Sequence, residues 1–153
     1  MSTLEFRQVD PSLPEAMDLI RALGAEYAKR YPDTTFYGID VEEFPAAGGT
    51  FVVGYLDDKA VAIGSFRPVD GGDLAEIMRM FVKEQYRRQG ISRKLLAFLE
   101  ESARDLAFAK VCLETGIRQP EAIGLYRSAG YVEIPPFGIY VGHPLSVCFE
   151  KPL

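Results

Sequence analysis

The sequence predicts an α+β or mixed α/β fold: one central sheet, mostly antiparallel, with a parallel strand pair and helices on both faces. Three observations carry that prediction. Strand-like runs at 51–56, 60–69 and 74–82 follow one another through tight connections, which suits antiparallel neighbours. Apolar residues at Ile91, Leu95, Phe98, Ala103 and Leu106 then mark one face of a helix over 91–107, directly before a further strand at 110–115. A helix between two strands is a crossover, so the strands at 74–82 and 110–115 should run parallel.

The other elements follow in order. Residues 4–9 alternate as a first strand. Ser12 and Glu15 have capping-box spacing, Pro14 suits a first helical turn, and Met17, Ile20, Leu23 and Tyr27 recur at helical spacing, which predicts a helix over 13–30. The stretch 31–49 is irregular, with Pro32, Gly38, Pro45 and a Gly48-Gly49 pair, although 40–44 has the pattern of a short capped helix. Its aromatics Tyr31, Phe36, Tyr37 and Phe44 are many for a solvent loop. Either they lid a substrate pocket or they pack beneath the loop. Asp57-Asp58-Lys59 has hairpin turn chemistry, and Asp70-Gly71-Gly72-Asp73 forms a second tight connection. Pro120 opens another helix and Gly130 stops it. Strands at 131–134 and 145–150 close the sheet, with Pro135-Pro136-Phe137-Gly138 between them.

Composition narrows the function. A chain of 153 residues reads as a single domain, 1–153, with 48% hydrophobic and 25% charged residues, as in a soluble globular protein. The start lacks a signal-peptide pattern and no apolar run approaches the ~20 residues that span a bilayer, so no membrane partner and a cytoplasmic location are expected. A net charge of −5 argues against nucleic acid as a partner. Cys112 and Cys148 lie in strand-like runs, and the single histidine, His143, makes a thiol nucleophile or a His/Cys metal cluster a poor expectation. No metal is expected. Positive charge gathers instead over 79–94.

Within that basic stretch, Arg87-Arg88-Gln89-Gly90-Ile91-Ser92 joins a strand to a helix start. Such a start points unpaired N–H groups and a positive dipole end at whatever sits above it, which suits phosphate. Gly90 allows close approach, Ser92 is small, and Arg87, Arg88 and Arg93 add guanidinium forks. The run resembles the Arg/Gln-x-x-Gly-x-Gly/Ala pyrophosphate signature of the GNAT superfamily of acyl-CoA N-acyltransferases, with Ser92 standing where Gly or Ala is usual. Downstream, Leu125-Tyr126-x-x-x-Gly130-Tyr131 is similar to that family's helix-Tyr-Gly-Tyr motif. The close likeness covers about residues 73–137 and the element order extends it further.

The resemblance implies a GNAT-like single domain whose parallel strands splay apart to take the pantetheine arm of acetyl-CoA, with backbone contacts from Met80, Phe81 and Val82. It implies cofactor binding by Arg87, Arg88, Gln89, Gly90, Ile91, Ser92 and Arg93. Tyr126 matches the general acid that reaches the coenzyme A sulfur, and Glu76 is the candidate base that frees the amine's lone pair. Both keep a structural alternative, as a core tyrosine and a strand carboxylate. The expected activity is N-acetyl transfer from acetyl-CoA to a primary amine of a small molecule, by direct attack in a ternary complex. Acetylation of a protein lysine or N-terminus, and an acyl-CoA-binding sensor without turnover, are the alternatives. Homodimerisation stays open.

Overall fold

The computed structural model describes residues 2–32, 49–69 and 72–153. Phe36, Tyr37, Phe44, the short helix expected at 40–44 and the centre of the 70–73 connection lie outside the described residues. The elements are β1 (Leu4–Gln8), α1 (Pro14–Arg30), β2 (Thr50–Leu56), β3 (Lys59–Pro68), β4 (Leu74–Val82), α2 (Ile91–Asp105), β5 (Lys110–Gly116), α3 (Pro120–Ser128), β6 (Val132–Ile134) and β7 (Ser146–Pro152). Among the described residues they form one seven-stranded sheet in the order β1-β2-β3-β4-β5-β7-β6. Of its neighbouring pairs, β4 and β5 run parallel and the others antiparallel. The hairpin between β2 and β3 turns on Asp57 and Asp58, both at positive φ (49° and 67°), the conformation of a type I′ turn.

Helices cover both faces. Ala16, Leu19, Ile20 and Leu23 of α1 pack on Phe51, Val53, Tyr55, Ile63 and Phe81. On the other face Ile91, Leu95, Leu96, Leu99 and Ala103 of α2 pack with Val52, Val61, Phe66, Ala75, Ile77 and Val82, and Tyr126 of α3 joins this cluster. Burying these apolar side chains stabilises the sandwich at roughly 1.5–3 kcal/mol per fully buried large residue.

Two expectations about the helices need correction. The capping box at Ser12 and Glu15 does not form. Asp10 accepts both the backbone N–H of Ser12 (2.9 Å) and its hydroxyl (2.7 Å), and the helix begins one residue later, with Leu13 as its cap residue. Glu15 instead accepts the Tyr55 hydroxyl at 3.1 Å. Leu106 is also not on the buried face of α2. The helix ends at Asp105, Leu106 is 56% exposed, and Leu96 and Leu99 fill the core in its place.

Most consequential for function is an irregularity in β4. Ile63 faces Phe81 and Ser65 faces Met78, so Gly64 alone opposes both Arg79 and Met80. This is a β-bulge, with Arg79 at φ +58° and the Met78 carbonyl accepting the Ser65 hydroxyl at 3.0 Å. The extra residue switches the strand's parity. Ala75 and Ile77 face α2 before the bulge, but Val82 does so after it, while Phe81 faces α1. Pairing of β4 with β5 runs from Leu74↔Lys110 to Ile77↔Leu113 and stops there. Beyond that point the two strands part.

Candidate active site

The gap between β4 and β5 opens into a cavity of about 450 Å3, which α1, α3 and the segment around Tyr140 help to enclose. The strand-to-helix loop and the acceptor end of the cavity are built by different means.

The loop is a backbone structure. A short 3-10 turn, Glu84–Tyr86, leads from β4 into Arg88 at φ +65° and Gly90 at φ +79°, and Gly90 is the cap residue of α2. The first N–H to be satisfied within α2 is that of Lys94, on the Gly90 carbonyl at 3.2 Å. The N–H groups of Ile91, Ser92 and Arg93 therefore have no helical partner and point outward from its positive end. A Cβ added at Gly90 would meet nothing within 4 Å, so the approach to these groups is open. Arg88, Gln89, Gly90 and Arg93 are exposed, Ser92 is partly so, and Ile91 is buried as the anchor of α2 in the core.

Arg87 is tied into the structure around the loop. Its Nε donates to the Val82 carbonyl at 2.8 Å and its guanidinium pairs with Glu26 of α1 at 2.7 Å, which ties the loop to β4 and α1. Arg93 reaches the Ser128 hydroxyl at 2.6 Å, joining the start of α2 to the end of α3. Taken together, an open helix start, a left-handed glycine and an unpaired length of β4 and β5 fit a long anionic ligand with a pyrophosphate at one end and a strand-like arm at the other.

The other end of the cavity is made of side chains from distant segments. Glu76 lies on β4, 5% exposed, and its Oε2 accepts the Tyr140 hydroxyl at 2.7 Å. Arg67 of β3 stands 3.8 Å from its Oε1. Burial, then the neighbouring Glu76 charge, pushes the Tyr140 hydroxyl above the ordinary phenol range. Glu114 of β5 points into the same space and accepts the Ser146 hydroxyl. Burial foremost, with Glu76 adding to it, raises its pKa above the usual carboxylate range.

Tyr126 is 6% exposed and lines the cavity from α3, its ring edge-on to Tyr131 at 5.7 Å and beside Phe149 at 6.1 Å. Burial, with Tyr27 and Glu114 adding to it, holds its hydroxyl above the ordinary phenol range, so it keeps its proton at working pH. Tyr131 belongs to the core, where its hydroxyl donates to the buried Glu100 at 2.7 Å. Tyr31 is buried and lines the cavity. It stacks on Tyr27 at 5.4 Å, and its hydroxyl accepts the Arg118 N–H at 3.1 Å, fastening the end of α1 to the β5–α3 connection.

Glu76, Tyr126, Tyr31 and Met80 thus line one cavity, whereas the side chains of Phe81 and Val82 do not line it and are buried in the two cores. Sequence reasoning missed Arg79, Glu114 and Tyr140. A charged residue inside each of two apolar strands was the available signal for the first two. Tyr140 gave none.

The chain belongs to the GNAT family of N-acetyltransferases: the acetyltransferase (GNAT) family model matches residues 15–131. A relative from Azospirillum brasilense named IAA acetyltransferase is 31% identical over 153 residues, the full length of both chains. A crystal structure described as an acyl-CoA N-acyltransferase from Klebsiella pneumoniae superposes with a TM-score of 0.83 at 32% identity, covering 99% of this chain and 98% of that one. A GNAT acetyltransferase from Elizabethkingia anophelis, solved with acetyl-CoA bound, shares the fold at a TM-score of 0.72 and 15% identity over 98% of each chain.

Proposed function

We propose that this acetyltransferase, acting as one domain over 1–153, moves an acetyl group from acetyl-CoA to a primary amine of a small molecule by direct attack in a ternary complex. The observation that carries this reading is the cavity itself. Its described lining brings a buried carboxylate and a protonated phenol to the two sides of the strand gap. A relative named for a small molecule, 31% identical over its full length, supports the same reading.

The helix start at Gly90, Ile91, Ser92 and Arg93, with Arg88 and Gln89 beside it, would hold the pyrophosphate, while the backbone of Met80, Phe81 and Val82 would pair with the pantetheine arm. Acetyl-CoA supplies a thioester carbonyl as the electrophile. Glu76 accepts the proton that the amine must lose before its nitrogen can attack, and the Tyr140 hydrogen bond fixes the carboxylate's orientation. Tyr126 donates its proton to the departing sulfur. No side chain of the enzyme is acylated.

A panel of small primary amines and lysine-containing peptides, incubated with acetyl-CoA and followed by thiol release, tests the reading. Turnover of a small amine is the expected result. Turnover of peptides alone would assign the site to protein acetylation. Tight acetyl-CoA binding with no thiol release from any amine would leave a sensor.

A further inference from the structure

The acceptor end of the cavity carries more charge than an amine alone calls for. Two carboxylates line it, Glu76 and Glu114, but so do two guanidiniums, Arg67 and Arg79. Arg79 is there because of the bulge. Regular alternation along β4 would place residue 79 on the α2 face with Ala75 and Ile77, in the apolar core. The extra residue, at φ +58°, turns it out of that core toward the cavity instead. A left-handed arginine is an uncommon choice at a position where glycine or asparagine is easier. Desolvation, the largest influence on it, pulls its pKa below the usual value, against the opposing influence of Tyr140, Tyr27 and Glu76.

Resting on the small-amine reading above, we propose that the acceptor is a zwitterion of amino-acid type. Its carboxylate is received by Arg79 with Arg67 beside it, and its amine by Glu114 and Glu76. An arginine fork matches a carboxylate bidentately. A purely cationic amine would bring its charge toward two guanidiniums, whereas a zwitterion opposes each of its charges to one of the opposite sign. Glu114 then holds the ammonium on arrival, leaving Glu76 to take its proton.

The test compares the common α-amino acids, β-alanine and 4-aminobutyrate with their carboxamides, using acetyl-CoA and thiol release. A carboxamide lowers the amine's basicity, so free amine is more abundant in that arm and intrinsic reactivity runs against the expected preference. We expect the best acid to exceed its carboxamide in kcat/KM by at least about tenfold, the scale of one charge-assisted hydrogen bond. Arg79→Asn, which tolerates the left-handed backbone, should bring that ratio to near one, mainly through KM of the acid. Arg79→Lys should keep part of it. Should Arg79→Asn fail to fold by circular dichroism, the native ratio and Arg79→Lys still decide. Carboxamides accepted as well as acids would overturn the carboxylate subsite and leave the acetyltransferase reading standing. An unchanged ratio in folded Arg79→Asn would remove Arg79 from it. Thiol release from no amine in either set would overturn the zwitterion, and only silence from the wider amine panel as well would overturn the acetyltransferase reading.

Discussion

The loop before α2 and the acceptor end of the cavity sit at opposite ends of one strand gap, yet they are specified in opposite ways. The loop is local. A few consecutive residues, two at positive φ and one the cap of a helix, leave backbone N–H groups open where the pyrophosphate is proposed to sit. The acceptor end is convergent. Glu76, Glu114, Tyr126 and Tyr140 come from four separate segments, and the Glu76–Tyr140 hydrogen bond joins residues 64 apart. Backbone sites of this kind tolerate side-chain variation around a fixed glycine, whereas a convergent site can change its substrate by changing one strand residue.

That division predicts which constant each mutation moves. The largest effect is expected at the convergent end. Tyr126→Phe keeps the ring that packs on Tyr131 and Phe149, so the fold and acetyl-CoA binding should survive. Turnover should fall by roughly 10²-fold or more, the low end for losing a positioned acid, and the loss should appear in kcat because the interaction develops only as the thiolate forms. Steady-state kinetics with any amine the panel yields, beside calorimetric acetyl-CoA titration, would check it. A mutant within about threefold of the native kcat would show that the hydroxyl is only part of the core.

At the local end the expectation is reversed. Gly90→Asp puts a side chain where φ is +79° and a negative charge in front of the open N–H groups. Acetyl-CoA binding should weaken by at least about 2 kcal/mol, the scale of a lost charge-assisted hydrogen bond with repulsion added. At saturating acetyl-CoA the kcat should remain close to native. Unchanged affinity in a folded variant would dismiss the anion site, and a fall in kcat alone would mean that the two ends are coupled instead of separable.

The same contrast explains what the sequence disclosed. Periodicity located the first two described helices and most strands, because burial on one face imposes a period on each element, while Pro120 and Gly130 bracketed the third helix and the crossover gave the parallel pair. The loop was legible because its requirement, a glycine between a strand and an amphipathic helix, is written in adjacent residues. Leu106 misled because helical spacing continues past the point where the chain leaves the helix. Ser12 misled because its hydroxyl donates to Asp10, two residues before it, instead of accepting an N–H of the first helical turn. The bulge at Arg79 had no glycine to announce it on its own strand. The glycine is Gly64, across the ladder, where an added Cβ would come within 2.8 Å of Leu99. Side chains that meet only after that bulge and the strand gap form, such as Glu114 and Arg79, could not be brought together by inspection of either strand alone.

The smallest effect concerns Glu114, and it asks whether the convergent end is held at a cost to stability. A carboxylate whose pKa is raised by folding binds its proton more tightly in the native state than in the unfolded chain. Its contribution to stability is full below the unfolded-state pKa and is lost as pH rises through the native one. Once pH has risen through the native value, the folded protein carries a carboxylate that is poorly solvated beside Glu76, with the Ser146 hydroxyl as partial compensation. Glu114→Gln keeps an acceptor for that hydroxyl and removes the charge. Its Tm should match the native protein's at about pH 4, near the reference carboxylate pKa, and exceed it at neutral pH by roughly 2 °C, the scale of half to one kcal/mol in a chain of this size. The gain should be accompanied by weaker binding of the acceptor amine, because the charge that destabilises the empty cavity is the one an ammonium would neutralise. Thermal melts across that pH range settle the sign. A variant less stable than native at neutral pH would mean that the Glu114 carboxylate is already compensated within the fold, and the acceptor end would then be as settled a structure as the loop.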